Sequence, residues 1–180
     1  MLLDYIKSDL CRYIGKDKIT WKKFFRAYFS YQGFRLCFWL RVGKFSRSKI
    51  LRFIAKIQHR RTSRKYFLDI PIKTEIGYGF YLGHGSSIVV NGSTKIGNNV
   101  NLSQFTTIGA NHGQAAIIGD NVYIGPNVCI VEHITIGDNV KIGAGAVVTK
   151  NIPNNSICAG VPARVLKTDE TPNNYIARRW

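Results

Sequence analysis

The chain has 180 residues and 20.3 kDa, long enough for one full domain with a small appendage, and its 45% apolar content excludes wholesale disorder. The net charge of +16 is lopsided: residues 1–65 hold 18 Lys and Arg against Asp4, Asp9 and Asp17, whereas residues 66–180 hold 8 basic and 7 acidic residues. Cys11, Cys37, Cys129 and Cys158 are dispersed with no CxxC pair, which argues against a zinc knuckle or a disulfide framework and suits a reducing cytoplasm.

The start, MLLDYIKSDL, lacks the basic and apolar regions of a secretory signal, and no stretch approaches the ~20 apolar residues of a membrane span. Residues 2–14 are expected to form a short helix ending near Gly15. Thr20 offers an N-cap for an aromatic segment from Trp21 to Phe45, interrupted at Gly33 and Gly43. From Arg47 to Phe67 the pattern is helical again. Ile50, Phe53, Ile54 and Ile57 share one face, Lys49, Arg52, Lys56 and Arg60 another, and His59 is expected to face solvent.

Residues 1–65 therefore read as a basic, aromatic-rich helical segment with three open roles. It caps the rest of the chain and solvates its cationic face. Alternatively it attaches to an anionic membrane, where aromatic rings sit at headgroup level and each Lys or Arg gains ~1 kcal/mol. Nucleic-acid binding is the third role, but no nucleic-acid module signature is present and no such partner is expected.

An aliphatic residue then recurs at every sixth position: Ile70, Ile76, Leu82 and Ile88, then Ile96, Leu102 and Ile108 after a two-residue slip, then Ile118, Ile124, Ile130, Ile136, Ile142 and Val148. A second row, Val122, Val128, Ile134, Val140 and Ala146, runs two residues ahead of it. Neither a helix nor a strand sustains a six-residue beat. A short fixed repeat marks units that bury apolar surface by stacking, here a parallel β-helix over residues 66–167. Three six-residue sides per coil give about five or six coils. Four residues are inserted between Ile108 and Ile118, within GANHGQAA, and must bulge outward as a loop. Pro153 and Pro162 end the repeat, and the polar tail of residues 168–180 is expected to be a short helix or a loose end.

The repeat, closed by IGAGAVVTKNIPNNSICAGVPARV, resembles the hexapeptide-repeat acyltransferases. The segment DIPIKTEIGYGFYLGHGSSIVV is similar to their serine acetyltransferase branch, which includes sugar O-acetyltransferases of surface-polysaccharide biosynthesis. The resemblance implies a mainly β fold, a left-handed parallel β-helix behind a short basic α-helical N-terminal segment. It also implies a homotrimer with acetyl-CoA in the groove between neighbouring β-helices, and no metal.

By the same resemblance His84 is the general base and Asp69 the carboxylate that orients it. The chemistry is sound on its own: a hydroxyl is a poor nucleophile near neutrality, an imidazole suits the proton transfer, and a carboxylate fixes its tautomer. His112, in the inserted loop, matches an acceptor-binding histidine, whereas His133 reads as a plain surface residue. The turns at Gly125, Gly143, Ala144 and Gly145 match backbone contacts to CoA, and Thr149, Lys150, Arg164 and Lys167 match positions near its pantetheine or phosphates.

Two departures from the serine acetyltransferases, the short basic N-terminal segment and Gly83 before the candidate base, point to a sugar hydroxyl as acceptor. The basic segment would then bring the enzyme to the inner face of the membrane, with a lipid-linked or nascent polysaccharide as substrate. Free L-serine is the alternative acceptor. Two other classes remain: a zinc carbonic anhydrase, for which His84, His112 and His133 lack a close ligand pair, and a non-enzymatic scaffold.

Overall fold

The structure is a computed structural model that describes every residue except 17, 18 and 172, so Asp17, counted above in the N-terminal charge, lies outside the described residues. Four helices lead the chain: α1 (Leu2–Ile14), α2 (Trp21–Ser30), α3 (Gln32–Phe45) and α4 (Lys49–Tyr66). Short strands, numbered in chain order, then stack as three parallel faces of a β-helix. The first face holds β1 (Leu68–Asp69), β4 (Ile88–Val90), β7 (Thr107–Gly109), β10 (Cys129–Val131) and β13 (Val147–Val148). The second holds β2 (Glu75–Ile76), β5 (Lys95–Ile96), β8 (Ile117–Ile118) and β11 (Thr135–Ile136). The third holds β3 (Tyr81–Leu82), β6 (Asn101–Leu102), β9 (Tyr123–Ile124), β12 (Lys141–Ile142), β14 (Ser156–Ala159) and β15 (Arg164–Thr168), which runs antiparallel to β14.

The six-residue row is the core. From Ile70 to Val148 none of its members is more than 5% exposed, and the second row lies beside it inside the coils. Like stacks on like: Ile96 pairs with Ile76 and Ile118, and Ile108 with Val90 and Ile130. The corner between the second and third faces is closed by a ladder the repeat alone does not announce. The Oδ1 atoms of Asn98, Asp120, Asp138 and Asn154 each accept the backbone N–H of the residue one coil earlier, at 2.7–2.8 Å. The next residues, Asn99, Asn121, Asn139 and Asn155, take the left-handed conformation, which asparagine tolerates well.

Thr20 caps α2 as expected, accepting the Lys23 N–H at 3.3 Å. The aromatic segment, however, breaks at Tyr31 and not at the glycines; Gly33 and Gly43 both lie inside α3. They are there for close approach. A Cβ on Gly33 would sit 2.7 Å from Leu82 O, and one on Gly43 3.0 Å from the Ile72 side chain. His59 is buried, only 8% exposed, and burial lowers its pKa from the usual histidine value. The reason is that α4 packs on the body through Ala55, His59 and Thr62, leaving the apolar row of Ile50, Phe53 and Ile57 outside.

Among the described residues the C-terminal tail is not helical, and it is tied to the coils. It runs back over the third face, where Asn173 donates to Asn121 O and Val140 O and Tyr175 stacks on Tyr123 at 4.3 Å.

The helices are fastened to the first coil by a buried polar cluster. Arg41 grips Asp9 with two hydrogen bonds, at 2.8 and 3.1 Å, and donates two more, to Ile76 O and Gly77 O. Asp9 in turn accepts the Phe80 N–H at 2.8 Å, and Arg12 donates to Gly79 O. Burial pushes the Asp9 carboxyl up from its ordinary range, against the pull of Arg41. Removing one partner strands the other charge. Asp9→Ala is expected to cost about 3–5 kcal/mol in urea unfolding, and a loss below about 1 kcal/mol would show that the clamp is not structural.

Candidate functional site

Strand pairing defines a column of turns. Leu82 pairs with Leu102, Leu102 with Ile124, Ile124 with Ile142 and Ile142 with Cys158. The residues that follow, Gly83, Ser103, Gly125, Gly143 and Ala159, therefore stack at one corner, where the third face turns into the first. Gly125 must lack a side chain there, since a Cβ would meet Ile142 O and Ala144 N at 2.9 Å. The amides of Gly125, Gly143 and Gly145 are spent within the coils, on Ile142 O, Cys158 O and Pro126 O, and among the described residues Ala144 makes no such backbone bond.

His84 tops this column. It is exposed, at φ 60°, and is followed by Gly85 at φ 54°. Histidine reaches this region more readily than most non-glycine residues, and here its neighbours hold it there. The enforcing group is the start of α3: Gln32 Nε2 donates to His84 O at 2.6 Å, and a Cβ on Gly85 would lie 2.5 Å from the Gly33 nitrogen. The sequence reading missed Gln32, which carries no motif. Beside His84, a pocket of about 250 Å³ is lined by Tyr13, Ser30, Tyr31, Gln32 and Tyr81. Down the column, Ala144 lies three coils away, ~14 Å at one strand spacing per coil. Arg164, exposed on β15, pairs with Ala159 at the column's far end.

The other candidates fall elsewhere. Asp69 is exposed on the first face, in register with Val89, and no ion pair joins it to His84 among the described residues. Its negative charge also reaches buried His59, where it opposes the lowering by burial. His112 is exposed in the loop between β7 and β8, at the corner where the first face turns into the second. The Asn111 and His112 amides donate there to the Glu132 carboxylate at 3.3 and 3.5 Å. Thr149 and Lys150, both exposed, follow β13 at this same corner, and His133 is exposed after β10. Lys167 lies along β15, opposite Ile157. A whole face thus separates His84 from His112 within one chain. Among the described residues no group of three or more His, Cys, Asp or Glu is placed to hold a metal ion.

Residues 115–150 match the family model described as bacterial transferase hexapeptide (six repeats). The chain is 30% identical over 178 residues to serine acetyltransferase 3, mitochondrial, of Arabidopsis thaliana, covering 97% of this chain and 45% of that protein. It is similar to the soybean serine acetyltransferase apoenzyme, with TM-score 0.77 and 30% identity over 92% of this chain and 69% of that one. The serine acetyltransferase of Neisseria gonorrhoeae in complex with serine gives TM-score 0.76 and 28% identity, over 91% and 68%. The chain spans about half the length of the first curated relatives it matches, 45% and 56% of the two leading Arabidopsis thaliana proteins.

These likenesses overturn the expectation of a sugar hydroxyl in surface-polysaccharide biosynthesis. The short basic N-terminal segment had suggested that departure, yet the match runs through the helices as well as the coils, over 97% of the chain, and it runs to serine acetyltransferases.

Acid should loosen the β15 edge that carries Arg164 and Lys167. Just beyond it, Asp169 accepts from Lys141 Nζ at 2.6 Å and from Thr171, contacts that hold its carboxyl well below the usual range. Its folded pKa is depressed, so its contribution is full above the unfolded value of about 3.9 and is lost as pH falls through the folded one. Between pH 5 and 2 the urea midpoint should fall more steeply for the wild type than for Asp169→Asn; equal slopes would contradict this.

Proposed function

The chain belongs to the serine acetyltransferase family of hexapeptide-repeat proteins, and from that footing we propose that it transfers the acetyl group of acetyl-CoA to the hydroxyl of L-serine. The observation that carries this reading is the single edge on which exposed His84, the tightly stacked turns at Gly125 and Gly143–Gly145, and Arg164 line up.

In the proposed reaction His84 accepts the serine hydroxyl proton as that oxygen attacks the thioester carbonyl. The carbon–sulfur bond then breaks, the imidazolium returns the proton to the departing thiolate, and O-acetylserine and CoA result. Asp69 supports the imidazolium electrostatically. Gln32 acts as a positioning residue, holding the His84 backbone so that the ring is presented to the pocket. The corner of small residues accommodates the pantetheine arm along its ~14 Å, and exposed Arg164, Lys167 and Lys150 supply charge for the nucleotide phosphates. None of these three cations takes part in an ion pair among the described residues.

The split of the candidates between two corners supports a homotrimer. His84 and the glycine turns edge the first face on one side, and His112, Thr149 and Lys150 edge it on the other. Two copies packed side by side bring one corner of each together in a groove, which a single chain cannot do. The reaction belongs in the cytoplasm, the compartment that the dispersed thiols suit.

Purified protein given acetyl-CoA should release CoA with L-serine and not with a panel of sugars; release with sugars alone would overturn the reading. His84→Ala should lower turnover by ~10²–10⁴-fold while sedimentation still reports a trimer. Near-normal turnover in that variant would remove His84 from the role of base.

A further inference from the structure

The arrangement of α4 is inverted for a surface helix. Its inward face is Ala55, His59 and Thr62, while Ile50 and Phe53 on the outward face are 73% and 66% exposed. Helix α2 repeats the pattern. Ala27 is buried, and Trp21, Phe25 and Phe29, spaced four apart on one side, are 77%, 54% and 70% exposed. The two outward faces join: Phe29, Gln58, Arg61 and Lys65 line one groove, and Arg61 also lines the next with Phe53, Ile57 and Arg60. Large side chains held in water over such a span mark a surface that something covers.

Charge identifies the occupant. Across α2 and α4 stand Lys22, Lys23, Arg26, Lys49, Arg52, Lys56, Arg60, Arg61, Arg64 and Lys65, with no Asp or Glu in either helix. A second copy of the same face would set like charges against each other. The remainder of the chain, residues 66–180, holds 8 basic and 7 acidic residues and so carries almost no net charge to match it. A nucleic acid would satisfy the cations but gives isoleucine and phenylalanine no apolar phase to enter. An anionic bilayer surface satisfies both, taking aromatic and aliphatic side chains to the headgroup boundary while lipid phosphates meet the cations.

We propose that α2 and α4 form a peripheral docking face for anionic membranes, holding the β-helix at the lipid surface. The proposal stands apart from the choice of acceptor. No helix among the described residues is long and apolar enough to cross a membrane.

The test is co-sedimentation of the full chain with vesicles of phosphatidylcholine containing phosphatidylglycerol, beside vesicles of phosphatidylcholine alone. Binding is expected to the anionic vesicles only. It should weaken between 0.1 and 1 M salt, as the screening length shrinks from about 10 to about 3 Å. Phe25→Ser combined with Phe53→Ser should weaken it by about tenfold or more, with the melting temperature and acetyl transfer unchanged. Four results would overturn the proposal: no binding, equal binding to neutral vesicles, wild-type binding by the double variant, or release from vesicles by RNA at equal phosphate. So would concentration-dependent self-association of the wild type that the double variant abolishes, since that would make the face a contact between copies.

Discussion

The structure depends on one constraint: each coil must lie in register on the last, aliphatic residue over aliphatic residue. With Ile76, Ile96, Ile118 and Ile136 stacked in one line, the residues next to them in sequence have no freedom of placement. Glycine and then an Asx residue follow that line at one corner, small residues stack at the next, and insertions are forced outward. The loop around His112 shows this, because the ladder resumes undisturbed on both sides of it: Ile108 pairs with Ile130 and Ile96 with Ile118. A rigid prism of this kind is a ruler. It aligns small turns along one edge over several coils.

The helices add what a prism lacks. An exposed turn at the end of a bare β-helix has nothing beyond it to fix its backbone, and His84 is left-handed at such a turn. The cluster of Asp9, Arg41, Arg12 and Tyr13 docks α1 and α3 against the backbone of the first coil, and that docking carries Gln32 and Gly33 onto the histidine turn. Burying a charge pair is seldom the cheapest route to stability, but here the pair also satisfies Ile76 O, Gly77 O and Phe80 N–H, which an apolar replacement would leave unpaired. The polar cluster is therefore an orienting device as much as an adhesive.

Much of this was legible before any coordinates. The six-residue beat is a direct image of the coil, so the core, the faces and the outward loop followed from Ile70 to Val148 almost residue by residue. The helical cap was harder. Asp9 sits among Ile6, Leu10 and Tyr13, and Arg41 among Phe34 and Cys37, so each puts a charge on an apolar face. Sequence alone carried no sign that the two meet. Gly33 read as a helix break because composition cannot separate a glycine needed for bending from one needed for contact. His59 and the outer stripe of α4 were beyond reach, since an amphipathic pattern names two faces without saying which one packs. Gln32 acts through a backbone carbonyl and leaves no trace in the pattern. The acceptor turned on likeness over the whole chain, which two local departures near Gly83 and in the basic segment outweighed wrongly.

The central claim is that the site is made where the helical cap meets the first coil, with Gln32 acting through His84. A double-mutant cycle in kcat tests it most directly. Gln32→Ala should lower kcat by roughly ten- to a hundredfold in the wild type, with the melting temperature unchanged, Gln32→Lys should recover most of that loss, and Gln32→Ala should change nothing further in the His84→Ala background. Equal losses in both backgrounds would mean that Gln32 acts elsewhere, and would contradict the account.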